Sequence, residues 1–212
     1  MEVAVKVILS YLLGSIMGGL VLGRLRGVDI RQTGSGNAGA TNALRTQGKG
    51  FALGVLLIDI GKGILAALLI PALPWPGSSG VPHHLPMLCA VAAVIGHIYP
   101  IFFGFRGGKG AATLAGAAFA VVPAVIPIVL SMWFLSIILS GYVGISTILA
   151  AAAAPIYISL TRNGGLFSAE GLFTLTMALL ILYTHRSNLT RMLRGEEHRF
   201  ESAMLWRKLI RH

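Results

Sequence analysis

The segment GSGNAGATN at residues 34–42, followed by Arg45, combines glycine with side chains that bind anions. Three glycines within six residues allow backbone N–H groups to turn toward one point and form an anion nest. We predict that Asn37 caps a short helix whose N-terminus favours negative charge, and that Arg45 adds a bidentate contact to a phosphate or carboxylate. A glycine-rich turn that only starts this helix is the alternative interpretation. The run also matches GxGxxG, but no predicted strand precedes it, so we reject dinucleotide binding.

A second polar segment carries GHIYP at residues 96–100 and FRGGKG at residues 105–110, and Thr113 follows. It fails the GxxxxGK[ST] pattern, because Phe103 and Gly110 stand where that pattern needs a glycine and a hydroxyl. A Gly-Gly-Lys-Gly turn between two apolar helices still supplies free backbone N–H groups, a helix N-terminus and the Lys109 ammonium, which together form a phosphate cradle. A basic loop that only sets topology is the alternative, but it needs no glycines. We expect His97 to pack or to form hydrogen bonds rather than to act as a base.

The third polar segment is HRSN at residues 185–188, with Arg191 and a GEE run at residues 195–197 after it. His185 and Asn188 are three residues apart, so they share a face if the helix continues through them. A histidine at the end of an apolar span is a candidate general base or phosphate ligand. The other cations of the tail are predicted to be solvated charges of an interfacial segment: Arg194, Arg199, Arg207, Lys208 and Arg211.

The rest of the composition is that of a membrane protein. Of the 212 residues, 55% are hydrophobic and 11% are charged, against about 25% charged residues in soluble domains. So few charges cannot cover the surface of a soluble fold, and such high hydrophobicity excludes disorder. The single cysteine, Cys89, excludes an internal disulfide.

Apolar runs and the distribution of basic residues together predict the topology. The runs cover residues 3–23, 51–73, 85–103, 111–140, 142–160 and 172–184. Of the 17 basic residues, five lie in 24–49, two in 106–109 and seven in 186–211. The positive-inside rule requires all three basic groups to be cytoplasmic. This is satisfied if the N-terminus is outside and the 111–140 run makes two crossings that turn near Val122 and Pro123, since proline interrupts a helix.

The sequence therefore predicts an all-α, polytopic membrane bundle of seven transmembrane helices with an external N-terminus and a cytoplasmic C-terminus. We expect one integral domain over residues 1–212, with cytoplasmic segments at 24–50, 104–113 and 185–200. The 24–50 segment is too poor in apolar residues to fold alone, so it must lie against the bundle. Within the second run, Asp59 and Lys62 are spaced to neutralise each other, and we interpret them as a structural pair that supports this segment.

The three polar segments offer Arg45, Lys109, Arg186 and two glycine nests on one membrane face. This is more positive charge than one phosphate monoester requires, so we infer a site for two phosphorylated groups or one diphosphate. No carboxylate cluster suits Mg²⁺, and we expect no metal and no other cofactor. The alternative is a transporter or channel for an organic phosphate, although such sites usually lie near the bilayer midplane and often accompany internal repeats.

Taken together and in this order, the three segments resemble those of the bacterial acyl-phosphate:glycerol-3-phosphate acyltransferases, and the resemblance covers nearly the whole chain. It implies a seven-helix protein of the bacterial inner membrane with its active site on the cytoplasmic side. The implied reaction moves a fatty acyl group from acyl phosphate to the sn-1 hydroxyl of glycerol 3-phosphate, in the first step of phospholipid synthesis. The implied partners are these two substrates and the lipid bilayer, without nucleic acid and without an obligate protein partner.

The resemblance also assigns roles to residues. It implies that Ser35 and Arg45 are essential, that Lys109 belongs to the glycerol 3-phosphate loop, and that His185 and Asn188 are needed for activity. The substrate-binding residues of the first two segments would be Gly36, Asn37, Gly39, Thr41, Asn42, Gly107, Gly108 and Gly110. It implies a structural role for Glu197 and leaves open whether His185 or a substrate phosphate oxygen is the base. One departure is visible: the family often has Arg-Tyr-x-Ser where residues 141–144 read GYVG.

Overall fold

The computed structural model describes residues 1–78, 80–204 and 206, and the described chain is helical without a β-strand. The helices are α1 (Glu2–Gly14), α2 (Gly18–Leu25), α3 (Ala40–Gln47), α4 (Lys49–Ala72), α5 (Leu85–Ile98), α6 (Ala111–Val121), α7 (Ile126–Ser140), α8 (Val143–Thr161), α9 (Ala169–Thr184) and α10 (Arg186–Leu193). Five short 3₁₀ turns accompany them, at Ile30–Gln32, Ile101–Phe103, Pro123–Val125, Gly165–Phe167 and Glu201–Ala203. The all-α prediction is confirmed for the described part of the chain.

Two compact units divide the chain, Met1–Pro123 and Ala124–His212. The first unit contains α1 to α6, and the second contains α7 to α10. The first two polar segments therefore belong to the first unit, and the third belongs to the second. The single domain expected over residues 1–212 stays a prediction.

Four helical stretches in the described residues are long and apolar enough to cross a membrane, namely Lys49–Ala72, Leu85–Phe103, Pro123–Ser140 and Val143–Thr161. The pair α1 and α2 makes a fifth if its two helices, bent by 47°, count as one span. Two further apolar helices, α6 and α9, are shorter. By length and composition the described residues thus contain four or five spans, which fits a multi-pass membrane protein and is fewer than the seven that the sequence predicts.

The first apolar run, for which the sequence predicts one crossing, forms two helices bent by 47°. It breaks between Gly14 and Gly18, where two polar groups of α4 bind the released backbone. Lys62 Nζ donates to the Ile16 carbonyl oxygen at 2.8 Å, and the Gly18 N–H donates to Asp59 Oδ1 at 3.2 Å. Lys62 and Asp59 are themselves an ion pair at 3.0 Å, as their spacing predicts. The pair stabilises this break rather than the 24–50 segment for which it was predicted.

The 111–140 run is interrupted at Val122 and Pro123, as predicted, so that α6 ends at Val121. Proline lacks an N–H and disfavours helical geometry in the residue before it. Val122 accordingly adopts φ −141° and ψ 62°, outside the helical region. The run therefore supplies two helices, as the topology argument requires.

Close backbone contacts hold the first unit together. A Cβ on Gly14 would collide with the Ala93 backbone of α5, and one on Gly116 would collide with the Ile60 carbonyl of α4. The 24–50 segment packs on the same bundle, because Ile30, Ala38 and Ala43 are fully buried in one apolar cluster. The cluster is completed by residues of α2, α4 and their flanks: Met17, Leu20, Phe51, Ala52 and Val55. This confirms that the first polar segment lies against the helices.

Candidate active site

Asn42 organises the first polar segment from within. Its side chain is 1% exposed, and its Nδ2 donates to the carbonyl oxygens of Ile30 at 2.8 Å and Thr33 at 3.0 Å. Its Oδ1 accepts the Ser35 N–H at 2.8 Å. Gly34 lies so close to this amide that a Cβ there would collide with Asn42 Oδ1. Both N–H groups and one acceptor position of this side chain, which was predicted to bind substrate, are thus used in shaping the loop.

Ser35 and Arg45 lie at the two ends of this shaped segment. Ser35 is exposed on the loop between Gly34 and Gly36, whose φ angles are +60° and +72°. Arg45 is half-buried in the last turn of α3. The predicted nest is only partly formed from the glycine run, because the Ser35 N–H is bonded to Asn42 and the Gly36 N–H donates to the Thr33 carbonyl at 3.1 Å.

The predicted helix cap at Asn37 is wrong. The short helix exists as α3, but its N-cap is Gly39, and no side chain caps it. Asn37 lies two residues too early to reach the first turn as a cap normally does. Asn37, Gly39 and Thr41 are all half-buried around this helix start. In the first turn of α3 the Asn42 N–H donates to the Gly39 carbonyl at 3.1 Å. The N–H groups of Ala40 and Thr41 have no acceptor within the helix, which is the property that favours an anion there.

The glycine loop, residues 106–110, is fastened to the end of α5. The Gly107 N–H donates to the Ile98 carbonyl at 3.2 Å, and the Gly108 N–H donates to the His97 carbonyl at 3.1 Å. The prediction that this turn supplies free N–H groups is therefore wrong for Gly107 and Gly108, because tertiary hydrogen bonds use them. What remains of the predicted cradle is half-buried Lys109, followed by Gly110 at φ +85° as the N-cap of α6. The positive end of the α6 dipole and the ammonium are thus adjacent in the chain.

Arg31 joins the first two polar segments, a role that our sequence analysis did not assign to it. Its Nη1 donates to the carbonyl oxygens of Phe103 at 3.2 Å and Arg106 at 3.0 Å. Its Nη2 and Nε bind the carboxylate of Asp29, the closest contact being 2.7 Å. The hydrogen bond from Arg31 lowers the pKa of Asp29 below its ordinary value of 3.8. The Asp-x-Arg spacing was the available signal, but the carbonyl partners lie more than 70 residues away.

His185 stands where α9 ends and α10 begins, so the continuous helix on which His185 and Asn188 would share a face is not present. The residue is 5% exposed. Its Nδ1 lies 2.9 Å from the Ile181 carbonyl oxygen and 3.3 Å from Thr184 Oγ1. Because a carbonyl oxygen only accepts, Nδ1 carries the proton of the neutral ring, and Nε2 is the nitrogen that can take up a proton.

Asn188 is oriented by the buried carboxylate of Glu197. Asn188 Nδ2 donates to Glu197 Oε1 at 3.0 Å, and Arg191 Nε donates to Oε2 at 2.7 Å. Gly144 packs directly on Asn188, since a Cβ there would come within 2.7 Å of Asn188 Cβ. The resemblance implies a structural role for Glu197, and in this geometry its carboxylate fixes the side-chain amide of Asn188.

Arg199 departs from its predicted role as a solvated tail charge. Its Nε donates to the Ser140 carbonyl at 3.0 Å, and its guanidinium carbon lies 5.4 Å from the centre of the Tyr142 ring. A guanidinium therefore lies at the GYVG turn, where the resemblance leads us to expect an arginine in the turn itself. Arg194 is exposed as predicted, whereas Arg207, Lys208 and Arg211 lie outside the described residues.

No three His, Cys, Asp or Glu side chains come together as metal ligands in the part of the chain that the structure describes. The candidate groups in the two units are instead cations, amides, hydroxyls and helix N-termini, together with His185 in the second unit. Such groups bind and orient anions and can move a proton.

Comparison with known proteins agrees with this inventory of groups. The family model described as glycerol-3-phosphate acyltransferase matches residues 4–195. A glycerol-3-phosphate acyltransferase of Aquifex aeolicus is 40% identical, over 94% of this chain and 100% of the relative. That of Chlorobium phaeobacteroides is also 40% identical, over 91% of this chain and 94% of the relative.

Two solved structures have the same fold. A crystal structure of PlsY (YgiH), described as an integral membrane glycerol 3-phosphate acyltransferase in its glycerol 3-phosphate form, superposes with a TM-score of 0.84 at 38% identity, covering 94% of this chain and 96% of that one. The lysophosphatidic acid form gives a TM-score of 0.81 at 36% identity, covering 94% of this chain and 95% of that one. The match of nearly the whole chain, which includes the first two polar segments and the third as far as residue 195, shows that this protein belongs to the glycerol-3-phosphate acyltransferase family, the integral membrane acyltransferases of phospholipid synthesis.

Proposed function

We propose that this chain transfers a fatty acyl group from acyl phosphate to the sn-1 hydroxyl of glycerol 3-phosphate, giving 1-acylglycerol 3-phosphate and inorganic phosphate. The observation that carries the proposal is the fixed pairing of two cationic, glycine-rich segments by Arg31 in the first unit. Two such segments suit two phosphate groups. The glycerol 3-phosphate and lysophosphatidic acid forms of the related structures support the class of acceptor and product.

The proposed roles follow from the position of each group. Lys109, with Gly107, Gly108 and Gly110, holds the phosphate of glycerol 3-phosphate at the start of α6. Ser35 and Arg45 hold the second phosphate, together with the half-buried or exposed residues of the first segment: Gly36, Asn37, Gly39 and Thr41. Asn42 shapes that segment from beneath. His185 and Asn188 act on the acceptor hydroxyl.

The reaction needs positioning more than activation, because an acyl phosphate is already a reactive mixed anhydride. The sn-1 oxygen attacks the acyl carbonyl, and the bond from that carbon to the phosphate oxygen breaks. The hydroxyl proton passes to His185 Nε2 or to an oxygen of the substrate phosphate, and inorganic phosphate leaves. Holding both anions against their mutual repulsion and aligning the hydroxyl with the carbonyl are the contributions that fixed cations and helix N-termini can make.

We propose that the protein crosses the membrane seven times. The four long spans, the bent α1–α2 pair and the two shorter helices α6 and α9 together number seven. An external N-terminus then puts the three polar segments at the cytoplasmic face of the inner membrane, consistent with their excess of basic residues. Labelling of single cysteines, introduced at Lys49 and at Gly77 in a Cys89→Ala background, tests this in sealed vesicles. The two positions should be labelled from opposite sides, and labelling from one side would contradict the topology.

The function is tested with purified protein in detergent, glycerol 3-phosphate and a metal chelator. We expect acyl phosphate to support formation of 1-acylglycerol 3-phosphate, with one phosphate released per product, and acyl thioesters to support none. Activity only with an acyl thioester would overturn the proposed donor. The transporter alternative predicts uptake of glycerol 3-phosphate by proteoliposomes without acyl phosphate and no acylated product.

Two variants separate binding from turnover. Lys109→Ala should mainly raise the KM for glycerol 3-phosphate, and exposed Lys49→Ala, which removes a charge outside the loop, is its control. His185→Ala should mainly lower kcat, with exposed His83→Ala as its control. An unchanged KM in Lys109→Ala would refute the loop assignment, and near-normal turnover in His185→Ala would remove the histidine from the mechanism.

A further inference from the structure

A cluster of buried polar side chains lies directly beneath the glycine loop in the first unit. Asp59 and Lys62 of α4, His97 of α5 and Thr113 of α6 are each 3% exposed or less. Asp59 Oδ1 lies 3.0 Å from Lys62 Nζ and 3.5 Å from His97 Nδ1. Thr113 Oγ1 lies 3.0 Å from the same ring nitrogen. Three helices thus fix the plane of one imidazole ring.

The opposite edge of that ring supports the loop. A Cβ placed on Gly108 would collide with His97 Nε2, so the loop backbone rests against the ring without an intervening side chain. The carbonyl of His97 also accepts the Gly108 N–H at 3.1 Å. His97 therefore contacts Gly108 twice, through its main chain and through its side chain, and Lys109 is the next residue.

Packing alone does not account for these residue types. An acid and an amine inside an apolar span are costly, and apolar side chains of similar size would fill the space at less cost. Asp59 Oδ2 is buried and has no hydrogen-bond partner among the described residues. Lys62 binds the Ile16 carbonyl and Asp59 accepts the Gly18 N–H at the α1–α2 break, but that break gives no reason for the contacts of Asp59 and Thr113 with the ring of His97.

We propose that Asp59 and His97 are positioning residues for the glycine loop, and that they set the affinity for the phosphate of glycerol 3-phosphate through the placement of Gly108 and Lys109. This rests on the proposed function. Neither residue contacts the reacting atoms. Asp59 and Thr113 hold the imidazole, the imidazole holds the loop, and the loop holds the phosphate.

The test is direct binding of glycerol 3-phosphate by calorimetry, alongside steady-state kinetics, for the full-length protein in detergent. His97→Leu and Asp59→Asn should weaken glycerol 3-phosphate binding and raise its KM by about tenfold or more, since small displacements of a positioning group are expensive. The KM for acyl phosphate should stay within about twofold of the unmodified protein, because the first polar segment is shaped by Asn42. His97→Gln, which retains polar atoms near Thr113, should recover part of the loss.

Two further variants keep the test decisive. Gly108→Ala disturbs the contact between His97 and the loop from the loop side, and it should also raise the KM for glycerol 3-phosphate. This variant tests the proposal if the His97 variants do not fold. Lys6→Met is the matched control, because Lys6 is also a buried cation of a span, 3% exposed, but bonds to Glu2 and to the Pro71 carbonyl. It should lower thermal stability without changing the KM for glycerol 3-phosphate.

The outcomes separate this inference from the function on which it rests. If the unmodified protein binds glycerol 3-phosphate and the His97, Asp59 and Gly108 variants bind it equally well, the positioning role is wrong while the function stands. Loss of stability with unchanged KM in these variants would likewise reduce the cluster to a structural one. If the unmodified protein binds no glycerol 3-phosphate, the proposed function and this inference both fail.

Discussion

Replacing Gly107 with alanine should disable the glycine loop while leaving the helices that carry it intact. An added Cβ would collide with the His97 carbonyl oxygen and would lie 2.6 Å from Pro100 Cδ and 2.8 Å from the Ile98 carbonyl oxygen. A carbon atom normally stays about 3.3 Å or more from a carbonyl oxygen. Two of the three obstacles are backbone atoms at the end of α5, so the loop must move instead of its neighbours.

The required displacement sets the size of the effect. Moving the loop by about 1 Å lowers kcat/KM by about a hundredfold, which corresponds to about 2.7 kcal/mol. The shift also weakens the hydrogen bond from the Gly107 N–H to the Ile98 carbonyl, at a cost of about 1 kcal/mol. The assay is kcat/KM for glycerol 3-phosphate with detergent-purified protein, together with its thermal unfolding midpoint.

Gly61→Ala is the matched control for this substitution. Gly61 lies inside α4 with open space where a Cβ would be, and alanine in a helix is favoured over glycine by up to about 1 kcal/mol. Its activity should be unchanged and its stability equal or higher. The reasoning is refuted if Gly107→Ala retains kcat/KM within about twofold of the unmodified protein. The loop would then bind its substrate equally well after a displacement that we expect to be harmful.

Three other substitutions test parts of the site. Asn42→Asp replaces a donor by an oxygen that faces two backbone carbonyls, so we expect a loss of about 3 kcal/mol in unfolding free energy; an unchanged thermal midpoint would count against the role of this amide. Glu197→Ala should lower kcat by more than about tenfold because Asn188 loses its acceptor, whereas Glu197→Gln keeps an oxygen there and should retain most activity; equal losses would contradict this. The pKa of Asp29 is lowered by its hydrogen bond from Arg31, so the pair stabilises the protein above the ordinary aspartate pKa and the effect is lost as the pH falls through the lowered value. The difference in unfolding free energy between the unmodified protein and Asp29→Asn should therefore shrink in acid and stay below about 1 kcal/mol, as both side chains are partly exposed; a difference that grows in acid would be inconsistent with this pair.

Features governed by composition and local spacing were predictable from the sequence. The scarcity of charge predicts the helical membrane class. Pro123 predicts the interruption between α6 and α7, because it acts on its own residue and the one before. The three-residue spacing of Asp59 and Lys62 predicts their ion pair, which the structure contains at 3.0 Å.

Features that depend on distant partners were not predictable. The break between α1 and α2 is stabilised by Asp59 and Lys62, more than 40 residues away, and nothing in the local sequence requires it there. The N–H groups of Gly107 and Gly108 are used by α5, although the turn by itself suggests that they are free.

The roles of Arg31 and Asn42 could not be predicted either, because they depend on partners elsewhere in the chain. Both bind backbone carbonyls, which every residue possesses and which therefore leave no trace in the sequence. The polar segments could thus be recognised from the residues present, while the hydrogen bonds that shape them required the structure.

The central claim is that the acceptor hydroxyl of glycerol 3-phosphate attacks the carbonyl carbon of an acyl phosphate. It is tested most directly with a heavy-oxygen label at the sn-1 hydroxyl, purified protein, acyl phosphate and a metal chelator, followed by mass spectrometry of both products. We predict that all of the label stays in the ester of 1-acylglycerol 3-phosphate and that the released inorganic phosphate carries none. Label in the phosphate, or no acylated product, would contradict the account.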